Sequence, residues 1–227
     1  LMKLIRSIPT LNHHLIADHL PLHPINIYRE HDHRKLILLD FDNKPSILFL
    51  HTMNYDDPTD LDCSIVIQDE EIIEQMRYLI HSPENKNYAY ETPRWSLYQD
   101  GSQSIDPRFP VETSPVLSRV NNILNDESIR NIEWSSKFLP DLDELRKIEW
   151  RLRLGTLDKV VIFSTDPKEW NTMYHLQGAF QNRTKVEQLA LQYPEKFELY
   201  YSPKHIHAKI IRYDDGLLIG SHNYNRT

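Results

Sequence analysis

In the carboxyl half of the chain, segments whose apolar residues have helical spacing alternate with segments whose apolar residues are typical of strands. In some segments they recur every three or four residues, and in others they form short runs rich in β-branched and aromatic side chains. The pattern predicts helices over 116–124, 142–154 and 168–192, and strands over 129–134, 159–163, 197–201, 207–213 and 217–220. Strands that alternate with helices indicate an α/β fold.

The amino half shows both periods as well. Helical spacing predicts a helix over residues 2–19, interrupted at Pro9, and a second helix over 70–80. Strands are predicted over 25–28, 35–40, 46–51 and 63–67. Residues 81–114 between the halves are polar, proline-rich and aperiodic, with interspersed aromatic residues. We therefore expect a first lobe over 1–80, an ordered connector over 81–114 and a second lobe over 115–227.

Composition limits the classes of protein to be considered. Lys and Arg total 26 and Asp and Glu total 33, so the formal net charge of the 227 residues is −7, which argues against a general polyanion binder. The one cysteine, Cys63, excludes an internal disulfide framework and a cysteine-built zinc site. No apolar run approaches the about 20 residues of a membrane span, and the first residues lack the pattern of a signal peptide.

Basic residues crowd the predicted helix over 142–154, where they could contact phosphates of a polyanion or an anionic membrane. They are Arg146, Lys147, Arg151 and Arg153. Because Glu144 and Glu149 lie on the same helix, we interpret the cluster as a solvated face.

An internal repeat carries the functional signal. His33-Arg34-Lys35 precedes Asp40 by four intervening residues, and His207-Ala208-Lys209 precedes Asp214 in the same way. A hydroxyl-x-Asn sequence follows each copy after an apolar strand, as Thr52-x-Asn54 and Ser221-x-Asn223. The elements predicted before each motif, a helix and a strand, also correspond. Two such matches indicate a duplicated α/β unit rather than chance.

Each copy carries the groups that phosphate chemistry needs. Strand alternation places the motif histidine and lysine on one face. Lysine supplies a charge for a phosphate oxygen, and asparagine and the hydroxyl group supply further donors. Two copies that face each other would put an imidazole on each side of one phosphate, a geometry for in-line displacement with a covalent intermediate. This chemistry requires no metal and no other cofactor.

The pattern His-x-Lys-x4-Asp followed by Gly-Ser-x-Asn resembles the phospholipase D superfamily, over residues 2–80 and 115–227. The resemblance implies two pseudo-twofold-related α/β lobes, each a mixed sheet flanked by helices, with one active site between them. It implies a phosphohistidine intermediate, with His33 as nucleophile and His207 as general acid and base. It also implies phosphate contacts from Lys35, Lys209, Asn54, Asn223, Ser221 and Thr52, and supporting roles for Asp40, Asp214 and Asp62, the last as a residue that orients a histidine.

The chain departs from the family pattern in three places. His51-Thr52 stands where Gly-Ser is expected, the segment from Asp40 to His51 is long, and that from Asp214 to Gly220 is short. The acidic residue that the family places after the motif asparagine is missing after Asn223, and nothing before residue 2 matches residues 116–163. We therefore expect the 227 residues to be part of a longer chain, truncated at both ends.

The predicted site residues indicate a phosphodiesterase, but they do not determine which phosphodiester is the substrate. Two unequal motifs in one acidic chain favour a phospholipid substrate, with hydrolysis or phosphatidyl transfer and peripheral membrane contact. The Gly220-Ser221-His222-Asn223 sequence is similar to that of nuclease-like members of the superfamily, and this similarity favours a nuclease or nucleic-acid phosphodiesterase. A third interpretation is that the two lobes bind a phosphodiester without cleaving it. The lone cysteine fits a cytoplasmic or membrane-peripheral protein, and a secreted effector fits it too.

Overall fold

The fold of the chain, seen in a computed structural model, is mixed α/β with sheets flanked by helices. The structure describes residues 11–16, 36–41, 44–51, 63–80, 87–100, 114–166 and 176–220. These ranges fall into two compact units, one that ends near residue 84 and one that begins at residue 85.

The described part of the first unit is an antiparallel sheet with one helix. Strands β1 (Leu11–Ile16), β2 (Leu36–Phe41), β3 (Lys44–His51) and β4 (Ser64–Ile67) lie in that order, each hydrogen-bonded to the next. Helix α1 (Glu70–Ile80) contacts β3. Its buried residues Ile73, Met76 and Leu79 follow helical spacing, as the sequence predicts for 70–80.

The predicted helix over residues 2–19 is wrong over residues 11–16, which form β1. Leu11 pairs with Phe41 and Ile16 pairs with Leu36 across the ladder with β2. Six residues with apolar groups at both ends fit either period, and the intervening Asn and His residues are weak helix formers. Cross-strand hydrogen bonds to the apolar strand β2 therefore decide the conformation.

The second unit contains a five-stranded sheet. Its elements are β5 (Tyr88–Glu91), β6 (Ser96–Gln99), α2 (Pro115–Asn125), β7 (Asn131–Ser136), α3 (Leu142–Leu154), β8 (Lys159–Thr165), α4 (Leu176–Gln192), β9 (Phe197–Ser202), β10 (Ile210–Tyr213) and β11 (Gly216–Ile219). The order is β11-β10-β7-β8-β9, with β7, β8 and β9 parallel and the other pairs antiparallel. Strands β5 and β6 pair as a separate hairpin.

One face of this sheet and three helices form the core of the second unit. Alternate strand residues, such as Trp134 and Ile162, are buried with Val120 of α2, Ile148 of α3 and Val186 of α4. The alternation arises because successive side chains of a strand point to opposite faces.

Local signals define the ends of α3 where the sequence predicts them. The Asp141 side chain accepts from the backbone N–H of Glu144, and the Glu144 side chain accepts from the N–H of Asp141 at 2.7 Å, which is a capping box. Gly155 ends the helix with φ of 74°, a conformation that glycine adopts without strain. The prediction of a helix over 142–154 is confirmed.

The basic cluster on α3 is not a uniformly solvated face. Arg151 is 3% exposed and Glu144 is 8% exposed, so for these two residues the sequence interpretation is wrong. Lys147 donates to the side chain of Asn121, and Arg146 pairs with Asp143 at 2.8 Å. The helix therefore turns two of its charged residues toward the core.

The connector range 81–114 contains the β5–β6 hairpin. Tyr90 and Trp95 contact each other across it, with ring centroids 5.3 Å apart. Tyr98 packs against the core of the second unit, to which the hairpin belongs. Aromatic residues within an aperiodic range thus build a small sheet.

Candidate functional site

Only part of the predicted site lies within the described residues. His207, Lys209, Asp214 and Asp40 are described. The other predicted site residues lie outside the described residues: His33, Lys35, Thr52, Asn54, Asp62, Ser221 and Asn223.

The second motif begins in an irregular segment, residues 206–209, and not in the predicted strand over 207–213. Strand β10 begins at Ile210, which pairs with Ser135 near the carboxyl end of β7. The backbone N–H of Ile206 donates to the Thr165 hydroxyl at the carboxyl end of β8, at 2.9 Å. The segment therefore runs from the carboxyl end of β8 to that of β7, at an edge where α/β sheets commonly bind ligands.

His207 and Lys209 contact each other within this segment. The Lys209 Nζ lies 2.9 Å from Nδ1 of His207 and donates to the His207 carbonyl at 2.6 Å. Lys209 is 3% exposed, whereas His207 is partly exposed. A buried ammonium group beside an imidazole produces a positive potential that water screens weakly.

Further hydrogen bonds hold the segment and the strand ends around it. The Gly220 N–H donates to the Lys209 carbonyl at 3.2 Å, and the Asp166 N–H donates to the Ser202 carbonyl at 2.9 Å. The Ser164 hydroxyl donates to the Lys137 carbonyl at 3.0 Å. Thr165 and Ser164 are fully buried. The 206–209 segment is therefore anchored before His207 and at Lys209.

Thr165 is a site residue that the sequence analysis missed. The signal was present, because three polar residues, Ser164-Thr165-Asp166, directly follow the apolar run of the strand predicted over 159–163. Polar residues at that position point to the ligand-binding edge of an α/β sheet.

Asp214 lies at the far end of β10 from Lys209, roughly 15 Å along the chain. Its carboxylate accepts from the backbone N–H of Arg130 at 2.8 Å, and from the N–H and side-chain amide of Asn131, both at 2.9 Å. The Arg130 N–H and the Asn131 amide hold the pKa of Asp214 below its ordinary value. Asp214 thus joins the β10–β11 turn to the start of β7.

Asp40 has a comparable position in the first unit. It accepts from the Ser46 hydroxyl at 2.6 Å and from the Arg77 guanidinium of α1. Arg77 also donates to Ser46 at 2.7 Å, and its hydrogen bond with Asp40 raises the pKa of Arg77. Asp40 therefore joins the β2–β3 hairpin to α1.

The two motifs share the hairpin that follows the lysine but differ before it. Strands β2 and β3, like β10 and β11, pair antiparallel after the motif. The helix predicted over 2–19 is replaced by β1 over residues 11–16, so the expected match of preceding elements does not hold there. Residues 25–28 lie outside the described residues.

Replacing Asp214 by Ala is expected to destabilise the second unit by about 2 kcal/mol, because two backbone N–H groups lose an acceptor and Ala tolerates positive φ poorly. Asp214 has φ of 40°, which Asn tolerates, so Asp214→Asn should cost less. The pKa of Asp214 is lower in the folded protein than in the unfolded chain, where it is about 3.9. The stabilisation that depends on the charge of Asp214 is therefore complete above about pH 3.9 and is lost as the pH falls below that value.

Urea unfolding of both variants at neutral and acidic pH measures this effect. The deficit of Asp214→Asn relative to wild type should shrink at acidic pH, and the activity per folded molecule should stay unchanged. A variant that keeps its stability but loses activity would contradict this structural role.

Two further properties of the described residues bear on the site. No group of three or more His, Cys, Asp or Glu side chains within them could hold a metal ion. Among the same residues, no helix is long and apolar enough to cross a membrane.

Comparisons with known proteins give one weak similarity to describe. The chain matches no protein-family model and no curated protein. Among solved structures, the crystal structure of polyphosphate kinase from Porphyromonas gingivalis matches with a TM-score of 0.41 and 11% identity, over 85% of this chain. The matched part covers 28% of that kinase chain. Similarity at this level identifies no family.

Proposed function

We propose that the protein is a phosphodiesterase of the phospholipase D type, which cleaves or transfers a phosphatidyl group through a covalent phosphohistidine. His33 attacks phosphorus, the bond from phosphorus to the leaving oxygen breaks, and His207 gives that oxygen a proton. Water or an alcohol then gives a proton to His207 and attacks phosphorus, which releases His33.

The observation that carries this proposal is the contact between Lys209 and His207 at the carboxyl ends of β7 and β8. The imidazole of a histidine can transfer a proton near neutral pH. The adjacent buried charge of Lys209 favours an anionic substrate. The Thr165 hydroxyl holds the backbone that precedes the imidazole, which supports a preorganised site.

The remaining roles follow the motif. Lys35, Lys209, Asn54 and Asn223 are proposed as phosphate ligands, with hydroxyl donors from Ser221 and Thr52. Asp62 is proposed to orient a histidine. Since these side chains supply charge stabilisation and proton transfer, we expect the reaction to need no metal ion.

A phospholipid is the favoured substrate. The net charge of −7 is unfavourable for a nuclease, which gains affinity from neutralising many phosphates. Membrane contact would then be peripheral. Nucleic-acid cleavage by the same two histidines is the competing outcome of the test.

The test is to incubate the purified protein with phosphatidylcholine vesicles and, separately, with single-stranded DNA, both in excess EDTA. Release of choline with intact DNA supports the proposal. DNA cleavage without release of choline would indicate a nuclease that uses the same mechanism. Loss of activity in EDTA that added metal restores would contradict the metal-free step. If neither substrate reacts, the result favours two lobes that bind a phosphodiester without cleaving it.

A further inference from the structure

A surface cavity of about 500 Å³ lies between the end of α2 and the exposed side of α3, within the second unit. Its volume falls in the range of about 300–1,000 Å³ that small-molecule sites occupy. Helix α3 contributes Arg146, Lys147 and Trp150, and the end of α2 and the turn after it contribute Asn125 and Glu127. The basic residues noted in the sequence therefore border a cavity that the proposed phosphodiesterase chemistry does not use.

Trp150 gives this cavity an aromatic wall. The residue is 52% exposed, and the Arg153 guanidinium lies 4.4 Å from the centroid of its ring. This cation–π contact holds the indole against α3 from one side. Because Trp150 also lines the cavity, the part of the indole that Arg153 does not cover offers a flat surface on which a planar ring can stack.

Two cations lie one helical turn before this wall. Arg146 and Lys147 precede Trp150 by four and three residues, so they share a face of α3 with it at a separation of about 5.4 Å along the axis. Arg146 donates to Asp143 at 2.8 Å, and Lys147 donates to the side chain of Asn121. A guanidinium has five N–H donors and an ammonium group has three, so both groups retain donors for a ligand.

The buried Arg151 adds a charge that water screens weakly. It lines the cavity and is 3% exposed, and its guanidinium donates to three backbone carbonyls. Its donors therefore serve the fold, but its charge still favours an anion in the cavity. Three cations thus face two carboxylates, those of Asp143 and Glu127, in a chain that is acidic as a whole.

The side of the cavity near the end of α2 has a different chemistry. Glu127 offers only acceptors, and Asn125 offers an amide with both donors and an acceptor. A carboxylate repels a phosphate but accepts a hydrogen bond from an amino group. A ligand that suits both sides therefore places its anionic group at Arg146 and Lys147, and carries a planar ring with an amino group.

We propose that the cavity between α2 and α3 binds a nucleoside monophosphate whose base carries an amino group, with the base stacked on Trp150 and the phosphate held by Arg146 and Lys147. At neutral pH such a phosphate carries a charge of about −1.5 to −2, which two cations match. One helical turn between the cations and the indole suits a phosphate and a base that are joined by one ribose. This inference is independent of the proposed phosphodiesterase activity.

The first test titrates the full ¹⁵N-labelled chain with adenosine monophosphate (AMP) and follows the tryptophan indole N–H resonances by NMR, at constant ionic strength because salt screens exposed charges. The Trp150 resonance is assigned by its loss in Trp150→Phe. We expect it to shift saturably with a Kd below about 1 mM, while the resonance of the buried Trp134 stays in place. Adenosine and inorganic phosphate, each with half of the recognised groups, should bind at least about 10-fold more weakly.

The second test measures the Kd of AMP for charge variants by calorimetry. Arg146→Gln and Lys147→Gln should each weaken binding by about 2–5-fold, the range of an exposed ion pair. Asp143→Asn should strengthen it by a similar factor, because it removes the carboxylate that competes with the phosphate for Arg146. A residue with only a structural role would not produce a gain in affinity.

Two further variants separate stacking from general charge. Trp150→Leu should weaken AMP binding by at least about 5-fold and remove the preference for AMP over inorganic phosphate. Arg212→Gln is the matched charge control for Arg146→Gln. Arg212 is exposed on β10 and follows the core residue Ile211, so its side chain points to the other face of the sheet, and its substitution should leave the Kd unchanged.

Several results would overturn the proposal. They are the absence of a saturable Trp150 shift with AMP, equal affinity for AMP and inorganic phosphate, and equal weakening by Arg146→Gln and Arg212→Gln. Binding of a single-stranded oligonucleotide without binding of AMP would also overturn it, in favour of a polymer contact. Each of these results leaves the phosphodiesterase proposal standing, and a protein that binds AMP but cleaves no phosphodiester would retain this site.

Discussion

His207→Ala is expected to lower kcat/KM for a phosphodiester with an alkyl leaving group by about 10²–10⁴-fold, the range of general acid–base catalysis. The loss arises because the leaving oxygen would depart as an alkoxide. The substitution also leaves the buried Lys209 without its contact at Nδ1, so we expect it to lower stability by about 1–3 kcal/mol. Steady-state kinetics with circular dichroism measures both quantities.

His205→Ala is the matched control, because it removes a partly exposed histidine that directly precedes this segment and has no proposed chemical role. We expect it to retain wild-type kinetics. Equal losses in the two variants would indicate that any change in this segment disrupts the site, and full activity of His207→Ala would remove His207 from the mechanism.

The same prediction extends to His33 as the nucleophile. His33→Ala should abolish the phosphoenzyme that acid quenching traps during turnover, whereas His207→Ala should still form it with a p-nitrophenyl substrate. The double variant should lose little more than His33→Ala, since residues that act together are not additive. A phosphoenzyme that persists in His33→Ala would exclude His33 as the nucleophile.

Arg151→Met is expected to destabilise the second unit by about 3 kcal/mol, the largest effect on stability that we predict. The buried guanidinium donates to the carbonyls of Leu124, Ile129 and Thr156, at 3.3 Å for Leu124 and 3.1 Å for Thr156. These carbonyls belong to the end of α2, the segment just before β7 and the segment after α3. Methionine would fill similar space and leave all three without this donor.

The melting temperature of the second unit should fall by roughly 10 °C. Arg153→Met is the control, because Arg153 is exposed and stacks on Trp150 with its guanidinium 4.4 Å from the ring centroid. It should cost well under 1 kcal/mol. Equal effects of the two substitutions would contradict the structural role of Arg151.

The pattern of apolar residues predicted the second unit well because its helices and strands have distinct periods and clear caps. Helix α3 is the best case, since Asp141, Glu144 and Gly155 mark both ends locally. The first unit was harder. Residues 11–16 fit a helix and a strand about equally, and only pairing with β2 separates the two.

The sequence by itself determined the α/β class of the second unit and showed that the His-x-Lys-x4-Asp pattern occurs twice, because both follow from local spacing. Only the tertiary structure decided that Lys209 is buried against His207, that Thr165 anchors the segment before it, and that Arg151 is a core residue. Each of these contacts joins residues that the chain brings together by folding, and burial then determines whether a charge binds a ligand or a neighbour. Periodicity is a local property, whereas the partner of a buried charge is not.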